Sequence, residues 1–356
     1  MMARSVLMDV LHEPSWDRMV AVHPRATVFH SRGWLEALRR TYGYRAVALC
    51  SPSSNGDVVN AFVFGVVRSR LTGNRLVSLP FSDHCDPLVA EPWELYPLLE
   101  ALPAAAPGLA GQKSRYTEFR PLTPGLDAVF ADSDRWGPCA KFVFHELDLT
   151  GGSSRLFQGF HKDCVQRKIR RAEREAIVCH QVKGDAEDAA LDDFYALLIR
   201  SRQRHGIPPQ PRRWFLSLQE CLGPACRIRV GYKAGRPVGA ILTVTFRDRC
   251  VFKYGASSGE GNRMGVMQML LWEAIREACE EGCSVFDFGR TDLDQEDLAV
   301  FKDRWGAKRI PLTYYSCPFP ATVTEPTWHK VMSRIGPRLP LPVLELAGRL
   351  LYRHIG

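Results

Sequence analysis

Long apolar runs and low-complexity stretches are absent from this sequence of 356 residues. No run approaches the roughly 18 apolar residues that a membrane-spanning helix needs. The short apolar patch near the N-terminus is followed closely by Asp9, Glu13 and Asp17, which is unlike a secretory signal peptide. We therefore predict a cytoplasmic protein built from ordinary folded domains.

Paired cysteine motifs are also missing. The 11 cysteines include no CxxC pair, and the nearest pairs, Cys221 with Cys226 and Cys279 with Cys283, have no histidines at zinc spacing. This pattern predicts reduced thiols and no metal site. The ten histidines lie outside any recognisable serine or cysteine nucleophile signature, so the sequence gives no support to a covalent intermediate.

Two domains of ordinary size fit the length, and a hydrophobic content of 46% is enough for two cores. A strand–turn–strand pattern occurs twice, around Asn55-Gly56 and around Ala234-Gly235. The glycine-rich stretch from Asp148 to Ser154 is the best candidate for a linker. We predict one domain over 1–150, a second over 151–320, and a basic amphipathic helical tail over 321–356.

The most informative pattern lies between residues 251 and 307. A β-branched and aromatic run over 251–254 leads through four glycines, the last of them Gly265, into a helix that has no glycine before Gly282. The helix has one apolar stripe, formed by Met267, Leu270, Leu271, Ala274, Ile275 and Ala278. A strand that enters a helix N-terminus through glycines is typical of an anion-binding site.

Lys302 is the first catalytic candidate. It completes the apolar stripe of a short helix, which we expect to begin after Asp294 with Asp297 as its capping partner. The other members of the stripe are Leu298, Phe301 and Trp305. An ammonium in this position either extends outward along its methylenes or meets an anion in a partly desolvated site.

Asp287 is a second candidate, in the predicted strand CSVFDFGRTD, where it shares a face with Val285. Arg290 and Asp292 follow closely. The carboxylate fits a structural ion pair and a polar functional site equally well.

Several ordered segments match a known family. FKYGAS, LLWEAIREACEEG, FDFGRTD and FKDRWGA resemble the second domain of the Fem-type aminoacyltransferases and their BioF2-like acetyltransferase relatives, a branch of the GNAT superfamily. FHSRGWLEALRRTYGYRAVAL and LTGNRLVSLPFSDHCDPLVA resemble the first domain, especially in FemAB-like bacterial proteins of exopolysaccharide and exosortase (PEP-CTERM) systems. The resemblance covers most of the chain.

This resemblance implies an α/β fold with mixed α+β sheets, arranged as two tandem GNAT-like domains. The first would shape the acceptor groove, and the second would be catalytic. It also implies that FKDRWGA supplies Phe301 and Lys302 to the active site, where the lysine stabilises negative charge as the carbonyl is attacked.

The donor site is expected at the N-terminus of the long helix. We assign donor phosphate binding to Asn262, Arg263 and Gly265, with Lys253 and Tyr254 from the preceding strand. Coenzyme A-binding GNAT enzymes usually have a second glycine or alanine where this chain has Met267. The resemblance therefore implies an aminoacyl-tRNA donor, with acyl-CoA as the alternative, and no tightly bound cofactor.

An arginine-rich helix over 160–176 is the candidate acceptor site. Its buried stripe is predicted to be Val165, Ile169, Ala172 and Ala176. The predicted phosphate-binding residues are Arg167, Lys168, Arg170, Arg171 and Arg174, together with Arg290 and with His205 from a proline-rich loop. A solvated face explains the arginines as well as phosphate binding does, and a simple connector explains the loop.

The C-terminal tail from Trp328 combines leucines with His329, Lys330, Arg334, Arg338, Arg349 and Arg353. It is expected to pack as a helix that closes the domain, or to lie on the inner, anionic membrane surface.

The function we predict is N-acyl or aminoacyl transfer to an amine of a cell-envelope, peptidoglycan or exopolysaccharide precursor, by direct attack in a ternary complex. The net charge of +8 fits an anionic ligand such as a small-molecule or lipid-linked saccharide acceptor, and tRNA as a transient partner without a stable nucleic-acid complex. The alternatives are an acyl-CoA-dependent N-acetyltransferase and a non-catalytic binding module.

Overall fold

The computed structural model describes residues 5–52, 58–110, 114–131, 133, 135–183, 188–318 and 335–355. The chain forms two compact units. Unit 1 comprises Met1–Lys141, Leu312–Pro326 and Leu350–Gly356, and unit 2 comprises Phe142–Pro311 and Thr327–Arg349. The division falls within a strand, before the boundary at residue 150 that the sequence suggested.

The stretch expected to be a linker, 148–154, is instead part of unit 2. The Asp148 carboxylate accepts hydrogen bonds from the backbone N–H and the hydroxyl of Thr150 at 2.8 and 2.7 Å. The Leu149 N–H donates to the Ser284 carbonyl at 2.8 Å. Glycine-rich composition therefore marks a tight connector here and not a domain boundary.

Unit 1 contains a sheet in the order β1-β2-β3-β4-β5-β12. The strands β4 and β5 run parallel, and the other neighbouring strands named here pair antiparallel. Its elements are β1 (Val6–Asp9), α1 (Pro14–Val22), α2 (Arg32–Tyr42), β2 (Arg45–Pro52), β3 (Val58–Val67), β4 (Asn74–Val77), α3 (Tyr96–Ala110), β5 (Ser114–Phe119), α4 (Leu126–Ala131) and the second part of β12 (Lys308–Cys317). Short 3-10 helices occupy Val28–His30 and Pro92–Leu95.

The core of unit 1 lies between this sheet and α3. Phe62, Phe64 and Phe119 are buried together. The ring centroid of Phe62 lies 4.0 Å from that of Phe64 and 4.6 Å from that of Phe119. The first strand–turn–strand repeat is confirmed by the antiparallel pairing of β2 with β3. Its turn, 53–57, lies outside the described residues.

Unit 2 contains a sheet in the order β6-β11-β10-β9-β8-β7. Its elements are β6 (Gly137–Asp148), α5 (Gly152–Gly159), α6 (Arg167–Arg174), β7 (Val178–Lys183), α7 (Asp188–Arg204), α8 (Arg212–Leu222), β8 (Cys226–Lys233), β9 (Arg236–Phe246), β10 (Arg249–Ser257), α9 (Gly259–Met264), α10 (Val266–Glu280), β11 (Val285–Asp292), α11 (Glu296–Asp303) and α12 (Leu341–Ile355), whose last turns belong to unit 1. A π-helical turn precedes α6 at Lys162–Gln166, and 3-10 turns occupy Gly223–Ala225 and Gly336–Arg338.

The second repeat is also confirmed. The strands β8 and β9 pair antiparallel through a two-residue turn, in which Ala234 and Gly235 both have positive φ, at 47° and 74°. This left-handed backbone suits a tight hairpin. The fold prediction of α/β units with mixed sheets therefore holds for both halves of the chain.

The long helix α10 packs on this sheet as its apolar stripe predicts. Leu270, Leu271, Ala274, Ile275 and Ala278 are buried, and Met267 is half-buried against the same core. Val266 sits over two glycines that face each other in β8 and β9: a Cβ on Gly231 or Gly239 would lie 2.7 or 2.5 Å from it. The sheet thus has a shallow place for the start of α10.

Two helices differ from their predicted form. The arginine-rich helix ends at Arg174, so Ala176, with φ of 51°, is exposed and not part of the buried stripe. The helix that contains Lys302 begins at Glu296. Its N-cap residue is Gln295, which makes no side-chain cap hydrogen bond, so the expected capping pair of Asp294 and Asp297 does not form. In the tail, His329, Lys330 and Arg334 lie outside the described residues, whereas α12 is helical.

Candidate active site

Two parallel strands of unit 2 separate at the centre of the sheet. The strands β10 and β11 are paired over Arg249–Val251 and Val285–Asp287. Beyond Val251, β10 continues beside β9 as far as Ser257, whereas β11 continues beside β6 as far as Asp292. The two strands therefore open a wedge, into which the carboxyl-terminal half of β10 presents backbone groups.

A β-bulge lies at this opening in each strand. The register of β10 with β9 shifts between Phe252 and Tyr254, and the register of β11 with β6 shifts between Asp287 and Gly289. Bulges redirect backbone N–H and C=O groups and commonly border active sites. The wedge can therefore offer aligned N–H donors to a developing oxyanion.

Lys302 is buried at the β11 bulge. Its side chain is 3% exposed, and its ammonium donates hydrogen bonds to the carbonyls of Gly289 at 2.9 Å and Arg290 at 3.1 Å. The alternative in which this lysine extends into solvent is wrong. The structure fixes a positive charge beside the wedge, and the role of that charge in catalysis stays a prediction.

The surroundings of Lys302 differ in part from the predicted stripe. Trp305 is buried and Phe301 is half-buried, with their ring centroids 6.4 Å apart. Leu298 is 40% exposed because α11 begins late, and Ala299 takes the buried position. Phe301 lies next to Lys302 on the same helix, α11, and packs against the core of unit 2.

Asp287 is the last residue of β11 that pairs with β10, and it is fully buried. Its carboxylate accepts a hydrogen bond from the Gly289 N–H at 2.7 Å and lies 3.8 Å from the guanidinium of Arg249. Arg249 also lies 3.3 Å from Glu146 on β6. These contacts make Asp287 a brace for the bulge whose carbonyls hold Lys302, and its predicted role in the chemistry stays a prediction.

His145 was not found by sequence reasoning. It is buried on β6 directly opposite Gly289, and its Nε2 atom lies 3.4 Å from the Asp303 carboxylate, an ion-pair distance without hydrogen-bond geometry. Burial and the nearby Lys302 ammonium lower the pKa of His145 to about 4. A single histidine in a strand gave no motif to recognise, because its neighbours come from distant segments.

The expected glycine loop before α10 is a helix. Gly259, Gly261 and Asn262 belong to α9, and only Gly265, with φ of 85°, separates it from α10. A Cβ on Gly265 would lie 2.4 Å from the carbonyl oxygen of Lys168. This glycine therefore allows α6 to pack closely against the start of α10.

The predicted donor residues take different positions around this junction. The Asn262 side chain accepts a hydrogen bond from the Ser257 hydroxyl at 2.6 Å, whereas Arg263 is exposed. Lys253 is half-buried at the β10 bulge. The Tyr254 hydroxyl instead accepts a hydrogen bond from Trp214 at 2.8 Å, within the helical layer.

A cavity of about 890 Å³ lies at the carboxyl end of β10. It is lined by Leu198, Ser201, Arg202, His205, Ile207, Gly255, Asp294, Gln295, Glu296, Asp297 and Leu298. Arg204 fixes one edge, because its guanidinium donates to the Ser257 carbonyl at 2.6 Å. The three carboxylates suit an ammonium, and Arg202 suits an anionic group on the same ligand.

The predicted acceptor residues are only partly brought together. His205 is exposed and lines the cavity, in the loop between α7 and α8. The exposed basic residues of α6 form a separate face, with Arg167 3.2 Å from Asp163 and Arg171 3.9 Å from Glu175. The remaining members of this face are Lys168, Arg170 and Arg174.

Arg290 also lies apart from the cavity lining. Its guanidinium lies over the Phe142 ring, 4.2 Å from the ring centroid, and its backbone carbonyl holds Lys302. Among the described residues, no hydrogen bond or ion pair joins it or the α6 arginines to His205.

Residues 161–303 match the family model of the Acetyltransferase (GNAT) domain. This segment contains the splayed strands, the α10 junction and Lys302. The fold is GNAT-type. The solved structure of a tandem GNAT protein from the clavulanic acid biosynthesis pathway is similar. The alignment covers 88% of this chain and 97% of that chain, with a TM-score of 0.58 and 12% sequence identity.

Fem-type proteins are similar as well. The crystal structure of FemX aligns with 86% of this chain and 96% of its own, with a TM-score of 0.64 and 14% identity. UDP-N-acetylmuramoylpentapeptide-lysine N(6)-alanyltransferase of Weissella viridescens is 25% identical over 141 residues, 39% of this chain and 41% of that protein. The match thus spans about two fifths of the curated relative's length. The structural likeness confirms two tandem GNAT-like domains.

Proposed function

We propose that this chain is a Fem-type N-acyltransferase that transfers an aminoacyl or acyl group to an amine of a cell-envelope or exopolysaccharide precursor. The observation that carries the proposal is the wedge between β10 and β11, with the Lys302 ammonium buried at its bulge. It lies within the segment that matches the GNAT domain model.

Direct transfer in a ternary complex fits this geometry. The acceptor nitrogen attacks the donor carbonyl carbon, a C–N bond forms, and the bond to the donor oxygen or sulfur breaks. The rest of the donor leaves as the tRNA hydroxyl or the coenzyme A thiol, with the proton that the nitrogen gives up. The oxyanion is stabilised by N–H groups of the wedge and by Lys302, and the nitrogen's proton leaves to a base, for which His205 in the cavity is the candidate.

Two buried cysteines, Cys226 on β8 and Cys250 on β10, do not favour a covalent route. Burial raises the pKa of Cys226 and of Cys250 to about 12, so both thiols are protonated at neutral pH. A protonated, buried thiol is a poor nucleophile. This supports direct attack without an acyl-enzyme.

Aminoacyl-tRNA is the donor we favour. A Cβ on Gly255 would lie 2.9 Å from the Met267 methyl group, so this side chain borders the exposed end of β10 and narrows the space where a coenzyme A arm would approach. The α6 junction also packs against Gly265, where an open pyrophosphate loop would be needed. The tRNA would bind transiently, and no cofactor would be held tightly.

The acceptor we favour is a saccharide precursor that carries an amine and a phosphate, including lipid-linked forms. The carboxylates of the cavity would receive the ammonium, and the exposed arginines of α6 would contact phosphate. A lipid-linked acceptor would place the protein peripherally at the inner membrane face.

Acyl-CoA-dependent N-acetylation is the second candidate, because the matching family model describes an acetyltransferase domain. Calorimetry separates the two donors. We expect the dissociation constant for acetyl-CoA to lie well above the micromolar range, corresponding to less than about 8 kcal/mol of binding free energy. A stoichiometric low-micromolar titration would make acyl-CoA the preferred donor.

The acceptor is tested in cells. Intact-mass analysis of polysaccharide and peptidoglycan fragments from a deletion strain and its parent should show the loss of one aminoacyl or acyl group. Identical fragments from both strains would contradict an envelope acceptor.

A further inference from the structure

The C-terminal helix α12 has one packed face and one exposed face. Leu344 and Tyr352 are buried, and Gly348 lies so close to the chain that a Cβ on it would be 2.0 Å from the Pro209 carbonyl oxygen. Glu345, the single acidic residue between 341 and 355, is half-buried and interacts with Tyr195. The helix is therefore firmly docked on one side, and its carboxylate lies away from the exposed face.

The exposed face is divided lengthwise into an apolar and a basic stripe. Val343, Leu346 and Leu350 are 47%, 55% and 57% exposed, and their spacing of three and four residues places them on one line. Arg349 and Arg353, both exposed, lie next to that line. Three large aliphatic side chains in a row are unusual on a helix that faces only water.

A loop of unit 1 contacts the last turn of α12, which belongs to the same unit. The Thr72 hydroxyl and the Arg75 guanidinium donate to the His354 carbonyl at 2.6 and 3.0 Å, and the His354 ring lies 3.0 Å from the Ser69 hydroxyl. Leu71, within this loop, is 68% exposed and follows the exposed Arg70. The loop thus adds another leucine and another arginine beside the last turn of the helix.

We propose that the exposed face of this one helix, formed by Val343, Leu346, Leu350, Arg349 and Arg353 and named the α12 surface, docks on an anionic lipid bilayer. The aliphatic side chains would enter the boundary between headgroups and acyl chains, and the arginines would remain at headgroup level. Charge complementarity selects this occupant, because the exposed side of α12 carries arginines and no carboxylate.

Among the described residues, no helix is long and apolar enough to cross a membrane. Docking does not depend on the proposed reaction. It would, however, bring the chain to the surface where a lipid-linked acceptor is found.

Vesicle co-sedimentation of the full chain tests this proposal directly. We expect binding to phosphatidylcholine vesicles in which about one third of the lipid is phosphatidylglycerol, and little binding to vesicles of phosphatidylcholine alone. The double variant Arg349→Gln/Arg353→Gln should lower the partition coefficient by roughly 25-fold, about fivefold for each arginine. Leu346→Gln/Leu350→Gln should lower it at least about tenfold.

Matched substitutions elsewhere serve as controls. Val22→Gln/Val178→Gln changes two aliphatic residues that are 76% and 54% exposed, and Arg200→Gln/Arg213→Gln changes two exposed arginines. Both control variants should bind as the wild type does, and unchanged melting temperatures would show that every variant is folded.

Three outcomes would overturn the proposal. They are equal binding by the α12 and control variants, equal binding to neutral and anionic vesicles, and absence of binding to either. Light scattering adds a further test: a wild-type dimer that Leu346→Gln/Leu350→Gln converts to a monomer would assign the α12 surface to a second copy of the chain. Transfer activity enters none of these measurements, so failure here leaves the proposed reaction untouched.

Discussion

Replacement of Lys302 by methionine should reduce both stability and catalysis, by amounts that can be separated. Methionine keeps an unbranched chain but removes the ammonium, and with it the hydrogen bonds to the Gly289 and Arg290 carbonyls. Those carbonyls belong to the bulge beside the wedge. We therefore expect Lys302→Met to loosen the bulge and to remove the positive charge near the reacting carbonyl.

The stability loss follows from the two hydrogen bonds. A buried polar group left without its partner costs about 1–3 kcal/mol, so two carbonyls give roughly 2–6 kcal/mol in total. For a unit of this size, each kcal/mol lowers the melting temperature by about 2–4 °C. A fall of roughly 10 °C is expected if the carbonyls are only partly rehydrated.

The catalytic loss is a separate quantity. Removing one donor to an oxyanion typically costs about 3 kcal/mol, or a hundredfold or more in kcat. The turnover of folded Lys302→Met should be measured well below its melting temperature, with charged tRNA and with acyl-CoA as donors. Lys308→Met, an exposed lysine in the same unit, should change neither quantity.

The combination of results identifies the role of this lysine. Low stability with kcat within about threefold of the wild type would refute the oxyanion role and leave Lys302 as a brace for β11. Unchanged stability would refute the energetic importance of the two carbonyl contacts. Lys302→Arg adds a control in which the charge is kept but the compact ammonium geometry is lost.

The other predictions concern the α10 junction, the basic face and pH. Gly265→Ala should destabilise the protein by several kcal/mol, because the new Cβ would strike a backbone carbonyl. Gly282 has a similarly positive φ but open space around it, so Gly282→Ala should cost only about 1–2 kcal/mol. Thermal or denaturant melts measure both losses. Arg167→Ala/Arg171→Ala should raise KM and flatten its salt dependence with little change in melting temperature. If the variant and the wild type had identical kinetics across the salt range, these arginines would be a solvated face that binds no phosphate. The pKa of His145 is about 4 in the folded chain, against an ordinary value of 6.5. As the pH falls below 6.5, His145 therefore gains a proton in the unfolded chain but not in the folded chain. The free energy of unfolding should fall by about 2 kcal/mol by pH 5. Denaturant unfolding at pH 7.5 and pH 5 should show a smaller loss for His145→Gln than for the wild type, and equal losses would contradict this assignment.

The elements of unit 2 could largely be predicted from sequence periodicity. The stripe from Leu270 to Ala278 specifies α10, and the turn at Ala234-Gly235 specifies the β8–β9 hairpin. Both signals are local, since each depends on residues a few positions apart. The position of the domain division was not predictable in this way, because β6 continues through it as a regular strand.

The glycines before α10 show where a local pattern permits two structures. A strand followed by glycines is compatible with an open anion-binding loop and with close packing of backbones. At Gly265 the close neighbour is the Lys168 carbonyl, which belongs to a helix almost a hundred residues earlier. Tertiary contacts of this kind decide between the two structures, and spacing along the chain does not record them.

The same limitation explains what was missed around Lys302. The apolar stripe indicated that this ammonium needs a partner, and the structure supplies the carbonyls of a bulge in β11. The bulge in turn depends on Asp287, which binds the Gly289 N–H, and it faces His145 across the β6–β11 pair. The Lys302 ammonium is held by two backbone carbonyls, and burial lowers the pKa of its neighbour His145. The arrangement fits the proposed role of Lys302 as a donor to a transient oxyanion, and the functional proposal therefore rests on the wedge and not on any single motif.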